Sequence, residues 1–302
     1  MSATYCDVMK RKPIWRAVNF DWNFLVEEGG PSRRTGILNE RQIFKSMVEK
    51  LKFKIYPEDT KQTRNLSKKK FHEELMNFKN LCVEESCGCI LVAVSSHGVI
   101  LKTDTPPEEE VEVYEDYILT HPEPDRSSYS EGFKDERVTV REIVEVFRDK
   151  RLKGIPKIFF IQACRSKSEP GKKKEDIDLG IPFVVYDNEE KREGISHYLP
   201  RPPAENKIMY SPPCIDDSVI VFSTPLGYAA GFESRRGSHV WNVLANKLKN
   251  MSEPVKLLDL LKETNRELSH PQEPKNVKEI DGLEYKPLLS ICYTLTKHIV
   301  FK

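Results

Sequence analysis

Residues 154–165 are Gly-Ile-Pro-Lys-Ile-Phe-Phe-Ile-Gln-Ala-Cys-Arg, a turn followed by an apolar run that ends at a cysteine. Such a run is typical of a strand buried on both faces of a parallel sheet. Two further runs have the same character, at residues 87–94 and 218–222. Helical patterns lie between the three runs, and strands that alternate with helices predict an α/β fold. We therefore expect a mostly parallel central sheet with helices on both faces.

The segments around these runs supply the other predicted elements. Apolar residues at spacings of three and four predict an amphipathic helix across residues 43–51, and Ser67 is a suitable N-cap for a second helix. The polar stretches 103–137 and 166–213 predict a long loop and a linker. The remaining predicted elements are strands at 17–20, 52–56 and 288–301 and helices at 68–80, 140–147, 238–249 and 254–267.

Composition and charge exclude several classes of function. The 48 basic residues almost balance the 47 acidic ones, which leaves a net charge of +1. The chain therefore has no overall basic bias toward nucleic acid or an acidic membrane surface. The apolar runs are too short to span a bilayer, and residues 1–13 lack the apolar core of a signal peptide. We expect a soluble cytoplasmic protein without nucleic-acid or membrane partners.

The cysteines indicate reduced thiols. The chain has seven of them, an odd number, and most lie inside apolar runs, which fits the cytosol better than a disulfide framework. Cys87 and Cys89 are close in sequence, but no nearby residues complete the four ligands that a structural zinc site needs. We expect no metal and no organic cofactor.

Two of the predicted buried strands end in a reactive side chain. His97 follows the strand at 87–94, and Cys164 follows the strand within 154–165. Open α/β sheets bind ligands at the carboxyl ends of their strands, so neighbouring strands would bring both side chains to one crevice. An imidazole within reach converts a thiol to the nucleophilic thiolate and can then protonate a leaving amine. Gly98 leaves its amide open for an oxyanion hole shared with the amide of Cys164.

Structural interpretations of the same residues stay open at this point. A cysteine at the end of an apolar strand is often a small buried hydrophobic residue. A single histidine is often only a hydrogen-bonded structural residue. The similar strand-end contexts of His97 and Cys164, each flanked by polar residues, favour the catalytic interpretation.

The motifs resemble those of the caspase family. Ile161-Gln162-Ala163-Cys164-Arg165-Ser166 resembles the caspase active-site segment, with Ser166 where the family signature has glycine. Ser96-His97-Gly98 resembles the histidine motif, although His97 lies 67 residues before Cys164 against about 50 in the signature. The extra length suggests an insertion between residues 101 and 137. Similarity extends from about residue 16 to residue 301 and implies a three-layer fold with a central sheet of about six strands.

The resemblance also implies a pocket for a substrate aspartate. Caspases bind that carboxylate with two arginines and a glutamine, since the planar arginine fork suits a carboxylate. Arg34, favoured over Arg33 by its spacing, matches the first arginine, and Gln162 matches the glutamine. At the position of the second arginine this chain has Phe232. Arg235 or Arg236 is a candidate substitute, or both are solvated loop charges.

Caspases are made as precursors, which implies a division of this chain. We expect a short prosegment at 1–15, a large subunit at 16–178, an intersubunit linker at 179–213 and a small subunit at 214–302. Asp178 and Asp187 are candidate processing sites, because cleavage is tolerated in polar, proline-flanked linkers; each is alternatively a plain linker residue. The short prosegment favours an effector-like member. Residues 288–301 would form the interface of a homodimer, or of a heterodimer with another caspase.

Two functions follow from these observations. The first is a cysteine endopeptidase that cleaves proteins after aspartate through an acyl-enzyme on Cys164, in apoptotic signalling. The alternative is a catalytically weak or inactive pseudo-caspase that regulates an active caspase by dimerisation. The missing pocket arginine, Ser166 and the insertion favour the alternative, whereas the intact His97 and Cys164 favour the enzyme. A plain interaction module is disfavoured because it would need every motif to coincide by chance.

Overall fold

The computed structural model describes residues 14–24, 33–103, 111–122, 136–166, 181–183, 207–210, 213–233, 236–269, 278–280 and 283–301. Within these ranges the strands are β1 (Trp15–Asp21), β2 (Lys54–Tyr56), β3 (Cys89–Ser95), β4 (Gly98–Lys102), β5 (Val111–Leu119), β6 (Arg137–Thr139), β7 (Lys157–Gln162), β8 (Ile181–Phe183), β9 (Lys207–Tyr210), β10 (Ser218–Phe222), β11 (Phe232–Glu233), β12 (Gly237–Ser238), β13 (Val255–Lys256), β14 (Lys278–Ile280), β15 (Leu283–Lys286), β16 (Ser290–Tyr293) and β17 (Val300–Phe301). The helices are α1 (Ile37–Lys50), α2 (Lys68–Glu84), α3 (Val140–Glu145), α4 (His239–Lys249) and α5 (Leu257–Ser269), with 3-10 turns at Thr60–Thr63 and Lys150–Leu152.

The central sheet of the described residues has six strands in the order β16-β10-β7-β3-β1-β2. Five of them run parallel, and β16 joins the edge antiparallel to β10. The α/β class, the mostly parallel sheet and the number of strands predicted from the sequence are confirmed. The strands β3, β7 and β10 are buried along their whole length, as expected for a sheet covered on both faces.

Helices cover both faces of this sheet. Because successive side chains of a strand point to opposite faces, β3 contributes to two cores. Ile90, Val92 and Val94 pack in one core with residues of α2 and α3. Leu91 and Ala93 pack in the other core with residues of α1, α4 and α5. The predicted three-layer arrangement is therefore confirmed, with the apolar faces of five helices closing it among the described residues.

The region predicted to be a long loop contains a second sheet. Strand β5 lies between β4 and β6 in an antiparallel arrangement, and β9 pairs with β5 in parallel. The loop prediction for residues 103–137 is therefore wrong for residues 111–119. The acidic and aromatic residues of that segment form backbone hydrogen bonds with β4, and this pairing makes the segment a strand although much of its sequence is polar.

Two other boundaries differ from the predictions. Residues 181–183 and 207–210 of the predicted linker are strands, because β8 pairs with β15 and β9 pairs with β5. The predicted final strand 288–301 is two short strands. After β16 the chain turns so that Ile299 and Phe301 are buried under the face that carries α5, and β17 pairs with β13 instead of continuing along β10.

Smaller differences concern the helix ends. Helix α2 continues to Glu84, four residues beyond its predicted end, and α5 begins at Leu257 because residues 255–256 pair with β17. The Ser67 hydroxyl accepts a hydrogen bond from the Lys70 amide, as the capping prediction required. Among the described residues, no helix has the length and apolarity that crossing a bilayer requires.

Candidate active site

The two reactive strand ends lie side by side. Strands β3 and β7 are parallel neighbours, with Ser95 in register with Gln162. Beyond the strands the backbones stay together, because the Ser96 amide donates to the Gln162 carbonyl at 3.1 Å and the Ile100 amide donates to the Ser166 carbonyl at 3.0 Å. The segments that carry His97 and Cys164 are therefore adjacent at the carboxyl edge of the sheet, where ligands of open α/β sheets bind.

Burial separates Cys164 from the structural cysteines. Cys82, Cys87 and Cys89 are fully buried, whereas Cys164 is partly exposed. His97 is also partly exposed although its neighbours are buried. The interpretation of Cys164 as a buried hydrophobic residue is therefore wrong. Partial exposure of both residues is compatible with their predicted catalytic roles, which stay predictions.

Gly98 is required by the close approach of the two segments. A Cβ atom at residue 98 would lie 2.5 Å from the Cys164 carbonyl oxygen and 2.8 Å from the Cβ of Ala163. Such contacts are far below ordinary packing distances, so only glycine fits here. The role of the Gly98 amide in an oxyanion hole stays a prediction.

An aromatic side chain that sequence reasoning missed contacts the histidine. The ring of Phe24 lies 5.2 Å from the ring of His97 and, on another side, 5.9 Å from the ring of His121 in a stacked arrangement. Phe24 is fully buried and has a positive φ of 45°, an uncommon backbone conformation for a bulky residue. These contacts limit the positions that the imidazole can take.

The predicted pocket residues belong to one buried network. Arg34 is buried, unlike the exposed Arg33, and donates to the Ser95 hydroxyl at 2.9 Å and to the Trp22 carbonyl at 3.2 Å. On the neighbouring strand, the side-chain oxygen Oε1 of Gln162 accepts a hydrogen bond of 2.7 Å from the Ser238 hydroxyl. The structure thus brings Arg34, which bonds to Ser95, and Gln162 to the same edge of the sheet. Ser95 lies two residues before His97, and Gln162 lies two residues before Cys164.

Glu40 connects the two halves of this network. One carboxylate oxygen accepts from the Ser95 hydroxyl and lies 3.8 Å from the Arg34 guanidinium. The other accepts from the Ser238 amide at 3.0 Å. Burial raises the pKa of Glu40, while Arg34 and the hydrogen bonds from Ser95 and Ser238 oppose that shift. Gly237, at a φ of 77°, leaves the space, because a Cβ there would lie 2.7 Å from the Glu40 Cγ.

Phe232 contacts the arginine of the pocket. Its ring centroid lies 4.5 Å from the guanidinium carbon of Arg34, which is within cation–π range. The position where the family has a second arginine is therefore next to Arg34 in space and is occupied by an aromatic ring. Arg236 is exposed in the turn before β12, and Arg235 lies outside the described residues. Their substitution for the missing arginine stays a prediction.

Arg165 fixes the chain immediately after the cysteine. Its guanidinium makes two bonds to the Asp116 carboxylate, at 2.9 and 3.0 Å, and lies 3.8 Å from the centroid of the Phe222 ring. Tyr210 joins this cluster by hydrogen bonds to both charged groups. Burial, and next the charge of Asp116, raise the pKa of the Tyr210 hydroxyl. A buried bidentate ion pair of this kind holds the Cys164 loop in place.

Glu40, Phe24 and Asp116 are the main residues that sequence reasoning missed. A signal existed for Glu40, because it lies between Ile37 and Phe44 at the spacing of a buried helix face. No local signal marked the other two. The processing candidates Asp178 and Asp187 lie outside the described residues. Among the described residues, no three His, Cys, Asp or Glu side chains are grouped as metal ligands.

Comparisons with known proteins agree with this geometry. A family model for the caspase domain matches residues 19–298. Caspase-6 of the chicken, Gallus gallus, is 24% identical over 291 residues, which are 95% of this chain and 79% of the chicken protein. The crystal structure of caspase-1 from Spodoptera frugiperda has the same fold, with a TM-score of 0.64 and 20% identity over 97% of this chain and 94% of the insect chain. The chain belongs to the caspase family.

Proposed function

We propose that this protein is a cysteine endopeptidase that cleaves proteins after aspartate. The observation that carries the proposal is the adjacency of two partly exposed groups, His97 and Cys164, at neighbouring strand ends. In this mechanism His97 takes the thiol proton, the sulfur attacks the scissile carbonyl carbon, and the amine leaves with a proton from His97. Water then attacks the thioester, which releases the acid and restores the thiol.

Arg34 and Gln162 are the groups that would bind the substrate aspartate. The remaining N–H donors of an arginine and the amide group of a glutamine both suit a carboxylate. Both side chains lie at the edge that carries His97 and Cys164, which supports binding of the residue just before the cleaved bond. The amides of Gly98 and Cys164 would stabilise the oxyanion, at roughly 3–4 kcal/mol for each donor.

The Cys164→Ala variant tests the proposal. Wild type is expected to cut itself between its large and small subunits and to hydrolyse peptides that end in aspartate, and the variant to do neither. Cys214→Ala is the matched control, because Cys214 is an exposed cysteine that precedes β10, at the end of that strand opposite to its carboxyl end. Equal behaviour of wild type and Cys164→Ala in both assays would rule out the protease.

A second candidate is a pseudo-caspase that regulates an active caspase by dimerisation. The contact between Phe232 and Arg34 favours it, because an aromatic ring stands where the family has a second carboxylate-binding arginine. This candidate predicts that Cys164→Ala changes the activity of an added active caspase as strongly as wild type does. Loss of that effect in Cys164→Ala would exclude it.

The proposal extends to activation and cellular context. Processing at Asp178 or Asp187 would separate a large subunit from a small one, and mass spectrometry of wild type, Asp178→Ala and Asp187→Ala would identify the cut.

The edge strand β16, with Tyr293 exposed, supports pairing into a homodimer or a heterodimer with another caspase, since exposed edges favour pairing. A monomer in sedimentation at micromolar concentration would contradict the homodimer.

We propose that the protein acts in the cytoplasm and in apoptotic signalling. Cell fractionation would test the location, and a cell-death assay with wild type and Cys164→Ala would test the role.

A further inference from the structure

The buried network around Arg34 has a consequence for the substrate side chain. Arg34 and Glu40 have side chains that are only 6% and 5% exposed, and their charged groups are 3.8 Å apart. A substrate carboxylate that approaches Arg34 therefore also approaches a buried carboxylate. Attraction to the one charge is therefore partly offset by repulsion from the other, and solvent screens neither strongly at this depth.

The free donor capacity of Arg34 is also reduced. Its two terminal nitrogens already donate to the Ser95 hydroxyl and the Trp22 carbonyl. Phe232 covers one face of the guanidinium at 4.5 Å. A bidentate pair with a carboxylate needs two parallel N–H groups. Each terminal nitrogen of Arg34 already uses one of its N–H groups on a protein acceptor, which limits the directions from which such a pair can form.

The rest of the network favours an uncharged polar side chain. The side-chain oxygen Oε1 of Gln162 accepts a hydrogen bond from the Ser238 hydroxyl. The side-chain NH2 group of Gln162 therefore points away from Ser238 and can donate to another group. The Glu40 carboxylate, which accepts a hydrogen bond from the Ser238 backbone amide, is a negatively charged hydrogen-bond acceptor in the same network. A carboxamide offers one acceptor and one donor, so it can satisfy both groups, whereas an aspartate carboxylate offers only acceptors.

We propose that Glu40 determines the specificity of this pocket, which accepts asparagine about as well as aspartate before the cleaved bond. The inference rests on the proposed peptidase function and extends its substrate class to sites with asparagine. Glu40 neutralises the single pocket arginine, and Phe232 supplies no second one. Sites with either residue are therefore substrates of comparable quality.

Two libraries of fluorogenic tetrapeptides, with aspartate or asparagine fixed at the cleavage position, test the inference. The ratio of kcat/KM values for aspartate and asparagine is expected to lie within about tenfold in wild type, since charge selection that is offset by a neighbour is small. In Glu40→Gln the ratio is expected to rise by about tenfold or more in favour of aspartate. Phe232→Arg, which adds a cation at a partly exposed position, is expected to shift the ratio in the same direction even if Glu40→Gln folds poorly.

Controls separate this inference from the proposed function. Glu49→Gln removes an exposed charge from the same helix and is expected to leave the ratio unchanged. A wild-type preference for aspartate above about 100-fold, or an unchanged ratio in both pocket variants, overturns the inference and leaves the peptidase intact. If no peptide is cleaved, calorimetry on Cys164→Ala with the same two peptide types decides: similar affinities support the inference, and binding of aspartate peptides alone, or of neither, overturns it.

Discussion

At the residue scale, Gly98 is the position where the smallest change should have the largest effect on activity. A methyl group at residue 98 would meet the backbone of Cys164 at 2.5 Å and the Cβ of Ala163 at 2.8 Å. Neither atom is the end of a flexible side chain, so the His97 and Cys164 segments must separate. Overpacking of this kind costs about 1–3 kcal/mol, and a displacement of about 1 Å can lower a rate about 100-fold.

We predict that Gly98→Ala lowers kcat by about 100-fold while the chain still folds, as kcat measurements and urea unfolding would establish. The control is Gly154→Ala, where no atom lies within 4 Å of the added Cβ but φ is 76°. It should lose about 1 kcal/mol from backbone strain and keep its activity. Full activity in Gly98→Ala would contradict the close approach of the two segments.

The candidate catalytic residues were easier to predict from the sequence than the buried residues that position the site. Cys164 and His97 are recognisable because each follows a continuous apolar run, a contrast that is visible locally. The spacing of Glu40 from Ile37 and Phe44 places it on the buried face of α1, but the sequence does not identify the partners of its carboxylate there. Its bond to the Ser238 amide joins residues 198 positions apart, and no short-range pattern encodes such a pair.

At the element scale, the contact between α2 and α3 should make stability depend on pH. His72 of α2 lies 3.9 Å from Glu142 of α3. Burial lowers the pKa of His72; Glu142 opposes this shift, and Lys68 adds to it. The unfolded chain therefore binds a proton near pH 6.5, before the native chain does. Stability from this group is present above that pH and is lost as the pH falls toward the native pKa.

We predict that His72→Gln becomes more stable relative to wild type as the pH falls from 8 to 5, because the variant cannot bind the proton that favours the unfolded state. Urea midpoints at several pH values measure this difference. Lys68→Gln is the companion variant: removing a cation that lowers the pKa of His72 should weaken the acid sensitivity. A constant difference between wild type and His72→Gln across the range would disprove the linkage.

The elements that sequence analysis missed share a physical cause. Strand β5 is Val-Glu-Val-Tyr-Glu-Asp-Tyr-Ile-Leu, in which acidic and aromatic residues interrupt the apolar ones, and its backbone pairs with β4, β6 and β9. Sequence periodicity detects the burial of side chains but not backbone pairing between partners that are distant in the chain. Strands β3, β7 and β10 were predictable because burial on both faces makes them apolar without interruption.

At the scale of the whole molecule, the predicted large and small subunits share one sheet and the apolar cores on both of its faces. Strand β7 precedes the predicted linker and β10 follows it, yet the two pair in parallel over five residues. On one face of the sheet, Trp241 of α4 lies 5.8 Å from the ring of Phe44 in α1 and 5.5 Å from the ring of Phe160 in β7. A cut in the linker would therefore leave the two parts joined by backbone hydrogen bonds between β7 and β10 and by apolar packing.

Trp241 is the residue that should decide whether the cut chain stays together. It is 4% exposed, and its replacement by alanine removes a large ring shared by both parts, at a cost of about 3–5 kcal/mol. We predict that a chain cut at a protease site inserted after residue 195 migrates as one species in gel filtration, whereas the cut Trp241→Ala chain separates or unfolds. Trp241→Phe keeps an aromatic ring and should remain associated. Because the uncut Trp241→Ala chain has a covalent link between the same parts, it should lose stability without separating. Persistent association of the cut Trp241→Ala chain would mean that the pairing of β7 with β10 alone joins the two parts.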